Sequence, residues 1–148
     1  MSREFREDKK TYEIKNRSTG KSVFTLDVRN GFFAESACMF PVLQKIKHFS
    51  GVENDPPTPI YLRGETGVGK TELAEIFHYN SSRKDKPFVD VNCANIPTEL
   101  FETSFFGSVR GAFNDAIDSK GFFELANTGT IFLDEINKLT KEHQGKLL

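Results

Sequence analysis

The sequence has no tryptophan, only two cysteines and no excess of charge of either sign: 20 basic side chains face 21 acidic ones, for a formal net charge of −1. Each shortage excludes something. Balanced charge removes the basic field by which a nucleic-acid binder attracts its ligand. No stretch reaches the roughly 18 consecutive apolar residues that a membrane span needs. The charged start, MSREFREDKK, reads as a frayed end or a cloning remnant rather than a secretory signal. Cys38 and Cys93 stand far apart without metal-ligand spacing, which predicts inert or buried thiols in a reducing, cytoplasmic setting. His48, His78 and His143 are scattered and predict surface or packing roles, with no metal site. Phenylalanine, by contrast, is abundant, with 15 copies in 148 residues. Most of them must lie in a core, and the length suits one domain able to bury it.

Patterning along the chain alternates between the two regular periods. TYEIKNRSTGKSVFTLDV, with Tyr12 and Ile14 on one face, Phe24, Leu26 and Val28 on another, and Ser18-Thr19-Gly20 as the turn, predicts a β-hairpin. MFPVLQKIKHF places apolar residues at 39, 42, 43, 46 and 49, a helical spacing that tolerates Pro41 only in the first turn. ENDPPTP breaks that helix. IYLRG then reads as a short strand and KTELAEIFHYN as a helix with Leu73, Ile76 and Phe77 on one face. PFVDVNC follows as a strand, and TELFETSFF as a helix with Leu100, Phe101 and Phe105 inward and Gly107 as its stop. TIFLDEI is a strand and KLTKEHQGKLL opens another helix. Strand and helix in alternation predict an α/β fold, three layers around a mainly parallel sheet. The apolar end, Leu147-Leu148, reads as mid-helix and leads us to expect a fragment of a longer protein.

GETGVGKT matches G-x-x-x-x-G-K-[ST] between an apolar strand and an amphipathic helix. Gly64, Glu65, Thr66, Gly67, Val68, Gly69, Lys70 and Thr71 form the expected phosphate cradle of a P-loop. Its glycines let successive N–H groups converge on phosphate oxygens, and the helix N-terminus adds a partial positive charge. Lys70 is expected to reach the β- and γ-phosphates of ATP, and the Thr71 hydroxyl to ligate Mg2+. A second carboxylate site is needed at the end of a neighbouring strand, and TIFLDE supplies one. Asp134 is expected to hold magnesium through its waters, and Glu135 to polarise the attacking water as general base.

GETGVGKTELAEIFH, PFVDVNCANIP, LFETSFFG, RGAFNDA, GFFELANTGTIFLDEI and HQGKLL occur in the order found in the AAA+ domain of NtrC-like bacterial enhancer-binding proteins, the activators of sigma-54 RNA polymerase. The resemblance runs from about Phe33 to Leu148. It implies a P-loop NTPase in which ATP binds between subunits of a ring, and hydrolysis drives a loop that grips the sigma factor. Gly64–Thr71 correspond to Walker A, and Asp134 and Glu135 to Walker B. Asn92 corresponds to the residue that hydrogen-bonds the catalytic glutamate; a capping or turn asparagine is the other reading of that position. Many family members carry Glu where this chain has Thr71, the more general P-loop form.

The family's sigma-contact loop reads G-A-F-T-G-A, and here Gly111, Ala112, Phe113, Asn114, Asp115 and Ala116 stand in its place. Phe113 is either the exposed gripping aromatic or a packed core residue. Asn114 and Asp115 replace Thr and Gly, which adds a negative charge at the tip and removes a flexible residue. The resemblance also implies parts not found in this sequence: a polar sensor on the next strand, arginine fingers, a helical lid and a DNA-binding domain. Lack of the finger implies a hydrolysis deficit of about a thousandfold. The expected division is an N-terminal extension over 1–30 and a partial AAA+ domain over 31–148. In this family the strand after Walker B lies between the strands of Walker A and Walker B. Its lack either leaves a gap of unpaired backbone groups or calls for something to fill it, with the 11–28 hairpin or a second copy as candidates, unless 60–63 and 130–133 pair directly.

The leading reading is thus an ATP-binding, cytoplasmic fragment of a sigma-54-dependent regulator, an ATPase as a whole protein but with little turnover on its own. The alternative is a nucleotide-sensing interaction module or a sigma-54-independent regulator. A P-loop nucleotide kinase or chaperone ATPase is a third reading, disfavoured by VNCANIP and GAFNDA.

Overall fold

The computed structural model describes residues 10–15, 22–28, 39–50, 59–108 and 118–147. The chain divides into two compact units, Met1–Lys84 and Asp85–Leu148.

In the first unit, β1 (Lys10–Lys15) and β2 (Ser22–Val28) pair antiparallel, with Tyr12 opposite Leu26 and Ile14 opposite Phe24. The predicted turn at 18–20 lies outside the described residues. Helix α1 (Met39–Ser50) follows the predicted spacing, with Pro41 in its first turn, where a missing N–H costs nothing. Helix α2 (Lys70–Tyr79) is the helix expected after the glycine-rich run. Leu26, Leu43, Ile46, Leu73 and Ile76 form the core of this unit, with Met39, Val42, Leu62 and Phe77 packed against it. Phe49 departs from the sequence expectation: it is exposed, in edge contact with His48.

The predicted strand IYLRG is not formed. Residues 59–65 carry no strand pairing, Leu62 packs on the core, and Ile60 and Tyr61 lie exposed. A strand exists only against another backbone, and none pairs with this segment among the described residues. The hairpin does not supply the partner, because β1 and β2 form a two-stranded sheet of their own.

In the second unit, β3 (Phe88–Asn92) and β4 (Thr130–Asp134) form a parallel pair with Val89 beside Ile131, Val91 beside Leu133 and Asn92 beside Asp134. Between them come 3-10 turns at Cys93–Asn95 and Thr98–Leu100, helix α3 (Phe101–Phe106) and the single turn α4 (Phe122–Leu125). A 3-10 turn, Ile136–Lys138, and helix α5 (Lys141–Leu147) follow β4. Because side chains alternate along a strand, Val89, Val91, Ile131 and Leu133 share one face, and all four pack on a core of Val91, Cys93, Phe101, Phe105 and Leu139.

Two phenylalanines anchor this core, while Phe106 and Phe123 lie exposed. Phe101 and Phe105 are fully buried, 4.7 Å apart; Phe105 meets Phe122 of α4 edge-on, and Phe101 stacks on His143 of α5 at 4.0 Å. His143 thus has the packing role read from its isolation, and His78, buried in edge contact with Tyr79, has another. Leu100, expected inward, is exposed. It ends the 3-10 turn, whose tighter winding puts it on a different bearing from the α-helical Phe101 and Phe105. Gly107 ends α3 as predicted, its N–H bonded to the Thr103 carbonyl.

Candidate functional site

The glycine-rich run leaves the core at Leu62 and wraps toward the start of α2. Gly67 and Gly69 have φ of 80° and 86°, the left-handed region, and Gly69 is the residue immediately before the helix. A side chain at either position would be strained, which explains why the motif spends glycines there. The Leu73 N–H bonds to the Gly69 carbonyl at 3.0 Å and closes the first turn of α2. Gly64 through Val68 are exposed, and Lys70 and Thr71 are half-buried at the helix start. The Lys70 ammonium donates to the Glu65 carbonyl at 2.8 Å and to the Gly64 carbonyl at 3.3 Å. The lysine thereby holds the curled loop in shape and keeps a positive charge beside its backbone amides.

A different arrangement occupies the ends of the parallel strands. Asp134 ends β4 and Asn92, its ladder neighbour, ends β3. The Glu135 N–H donates to Asp134 Oδ1 at 2.9 Å, and Glu135 adopts a left-handed backbone, φ 52° and ψ 38°. That conformation costs a non-glycine residue about 1 kcal/mol or more. It turns the chain sharply, so that the Lys138 N–H closes a 3-10 turn onto the Glu135 carbonyl at 2.8 Å. Asp134 and Glu135 are both half-buried. Asn92 is exposed, and its Oδ1 accepts from the Ala94 N–H at 2.9 Å. The capping reading of Asn92 is therefore met, and only its Nδ2, a donor, is suited to a carboxylate.

Cys93 has the burial read from its spacing, and the fold adds a charged neighbour that the sequence did not show. Cys93 follows Asn92 directly, is buried, and has its thiol pushed up from 9.0 to about 11, first by burial and then by the Asp134 carboxylate. Only the fold brings the Asp134 charge near it. A thiol raised in the folded state stabilises that state below pH 9, and the contribution is lost as pH rises from about 9 to 11. We expect Cys93 to resist iodoacetamide at pH 8 in the folded chain and to react on unfolding, as peptide mapping would read; labelling at equal rates would contradict its burial.

The structure thus brings Gly64–Thr71 together in the first unit and Asn92, Asp134 and Glu135 together in the second. Residues 111–116, the GAFNDA segment, lie outside the described residues, as does Cys38. Among the described residues no helix is long and apolar enough to cross a membrane, and no group of three or more His, Cys, Asp or Glu could hold a metal ion.

The family model of the sigma-54 interaction domain matches residues 32–148. The chain belongs to that family. Among curated relatives, it is 50% identical over 92 residues to a Nif-specific regulatory protein of Enterobacter agglomerans, which covers 62% of this chain and 18% of that protein. It is 41% identical over 116 residues to the anaerobic nitric oxide reductase transcription regulator NorR of Aeromonas salmonicida, covering 78% of this chain and 23% of that protein. The crystal structure of NtrX from Brucella abortus in complex with ATP superimposes with a TM-score of 0.67 at 30% identity, covering 80% of this chain and 24% of the NtrX chain. This sigma-54 interaction domain therefore has the α/β P-loop NTPase fold of the AAA+ class. It spans less than a third of the length of the relatives it matches.

Proposed function

We propose that this sigma-54 interaction domain binds ATP or ADP with Mg2+ through residues 64–71, as the nucleotide-binding part of a sigma-54-dependent transcriptional regulator. The observation that carries the reading is the cradle: two left-handed glycines, a helix start, and Lys70 folded over the loop's own carbonyls. Side chains at Gly67 and Gly69 would be strained by their left-handed backbone, and phosphate oxygens would take up the Lys70 charge and the helix-start amides. The ATP complex of NtrX, at 30% identity, supports the same choice of ligand.

The donor set also suits magnesium, a hard ion that keeps several waters and takes few protein oxygens. The residues proposed to hold it are Thr71, through its hydroxyl, and Asp134, through its carboxylate. Bound, magnesium would neutralise charge on the phosphates. Glu135 would accept the proton of the attacking water from a backbone held in a left-handed turn and bonded to Asp134. On the same proposal Asn92 would donate from Nδ2 to that carboxylate with its Oδ1 kept on the Ala94 amide, serving as both cap and positioning group.

Sigma-54 RNA polymerase is the proposed partner, through residues 111–116 with Phe113 as the gripping aromatic. Ring assembly, turnover of ATP and contact with DNA belong to the longer protein, which we place in the cytoplasm. The domain division we propose remains an extension over 1–30 and the ATPase part over 31–148. The alternative of a sigma-54-independent regulator keeps one specific support, the Asn114-Asp115 pair in place of Thr-Gly.

Titration of the 148-residue chain with MgADP in a calorimeter tests the core of the reading; absence of heat and of any ligand-induced rise in Tm would end it. In the longer protein, Glu135→Gln is expected to leave MgATP affinity within about threefold and to lower hydrolysis by at least about a hundredfold. Unchanged steady-state hydrolysis would remove Glu135 from the role of general base.

A further inference from the structure

The β1–β2 hairpin precedes the residues 32–148 that match the family, yet it is built into the unit that carries the cradle. Leu26, on β2, is 1% exposed and is the least exposed member of its core cluster. Two of its partners there, Leu73 and Ile76, belong to α2, and β2 packs on that helix. Leu73 is also the residue whose N–H closes the first turn of α2 onto Gly69. That turn carries Lys70 and Thr71. An isolated two-stranded hairpin is marginal in water, so the order of β1 and β2 depends on this docking. Conversely, removal of Leu26 would leave Leu73 and Ile76 facing a void and free the first turn of α2 to shift.

We infer that the hairpin is a positioning element for the phosphate cradle, with Leu26 as its positioning residue, so that hairpin docking and nucleotide binding strengthen one another through the first turn of α2. The inference rests on the nucleotide-binding reading above. Coupling of this kind is reciprocal: if the docked hairpin raises nucleotide affinity, nucleotide must stabilise the docked hairpin by the same factor.

Amide hydrogen exchange of the whole 148-residue chain, with and without MgADP, tests this, together with calorimetric affinities for Leu26→Ala and Leu26→Met. In the unsubstituted chain MgADP is expected to slow exchange both at 64–73 and in the hairpin, at 22–28. Leu26→Ala is expected to weaken MgADP about tenfold and to abolish the slowing at 22–28, and Leu26→Met to restore both. Slowing at 64–73 with unchanged exchange at 22–28 overturns the coupling and leaves the cradle standing. Absence of slowing anywhere overturns the nucleotide reading and the coupling with it. The exchange comparison on the unsubstituted chain decides the matter even if Leu26→Ala fails to fold.

Discussion

Lys70→Ala is expected to weaken MgADP by at least about a hundredfold, since the ammonium supplies charge-assisted bonds to phosphate worth about 1.5–3 kcal/mol each. The structure adds a second consequence. Lys70 also holds the loop through the Gly64 and Glu65 carbonyls, so its loss should speed amide exchange at 64–69 even without nucleotide. Lys70→Arg should repair little of either effect, because a planar guanidinium is wider than an ammonium and cannot converge on two carbonyls inside the same curl. Calorimetry on the three proteins reads the first effect and hydrogen exchange the second. Equal affinity in Lys70→Ala and the unsubstituted chain would show that the cradle does not bind phosphate through this side chain.

Gly129→Ala is expected to destabilise the second unit by about 3 kcal/mol, the cost of forcing backbone apart in a packed site. Gly129 is buried, and a Cβ there would collide with the Pro87 carbonyl oxygen and lie 2.9 Å from its carbon. The next residue, Thr130, donates its N–H to that same carbonyl at 2.9 Å, the contact that starts the β3–β4 ladder. Relief of the clash would therefore break the first rung of the ladder whose far end positions Asn92, Asp134 and Glu135. A fall in Tm of more than about 10 °C is the expected reading in a thermal scan followed by circular dichroism. A fall of only one or two degrees would mean that the approach of 129 to 87 is not built as tightly as described.

Much of this was legible in local pattern. G-x-x-x-x-G-K-T placed the loop and the start of α2, because few other sequences combine left-handed turns with a lysine at a helix start. The alternating apolar runs placed β3 and β4, and the 3.6-residue spacing placed α1 and α2. The order of motifs identified the family, which the match over 32–148 bears out. Pattern failed where burial or pairing needs a remote partner. IYLRG has the composition of a strand but no backbone to pair with among the described residues. Leu100 and Phe49 have apolar spacing but face outward, since a 3-10 turn in one case and the limit of the core in the other decide their exposure.

The amino-acid order by itself determined which residues could curl, coil or extend, and so which chemistry could be presented: a cationic cradle at 64–71 and a carboxylate pair at 134–135. Those are consequences of backbone freedom and spacing over a few residues. Tertiary structure alone decided that Leu26 would be buried against the P-loop helix, that Asp134 would lie near the Cys93 thiol, and that Glu135 would take a left-handed turn beside Asn92. The reason is physical: desolvation, strand pairing and charge proximity act between groups distant in the chain, and no window of local sequence contains both partners.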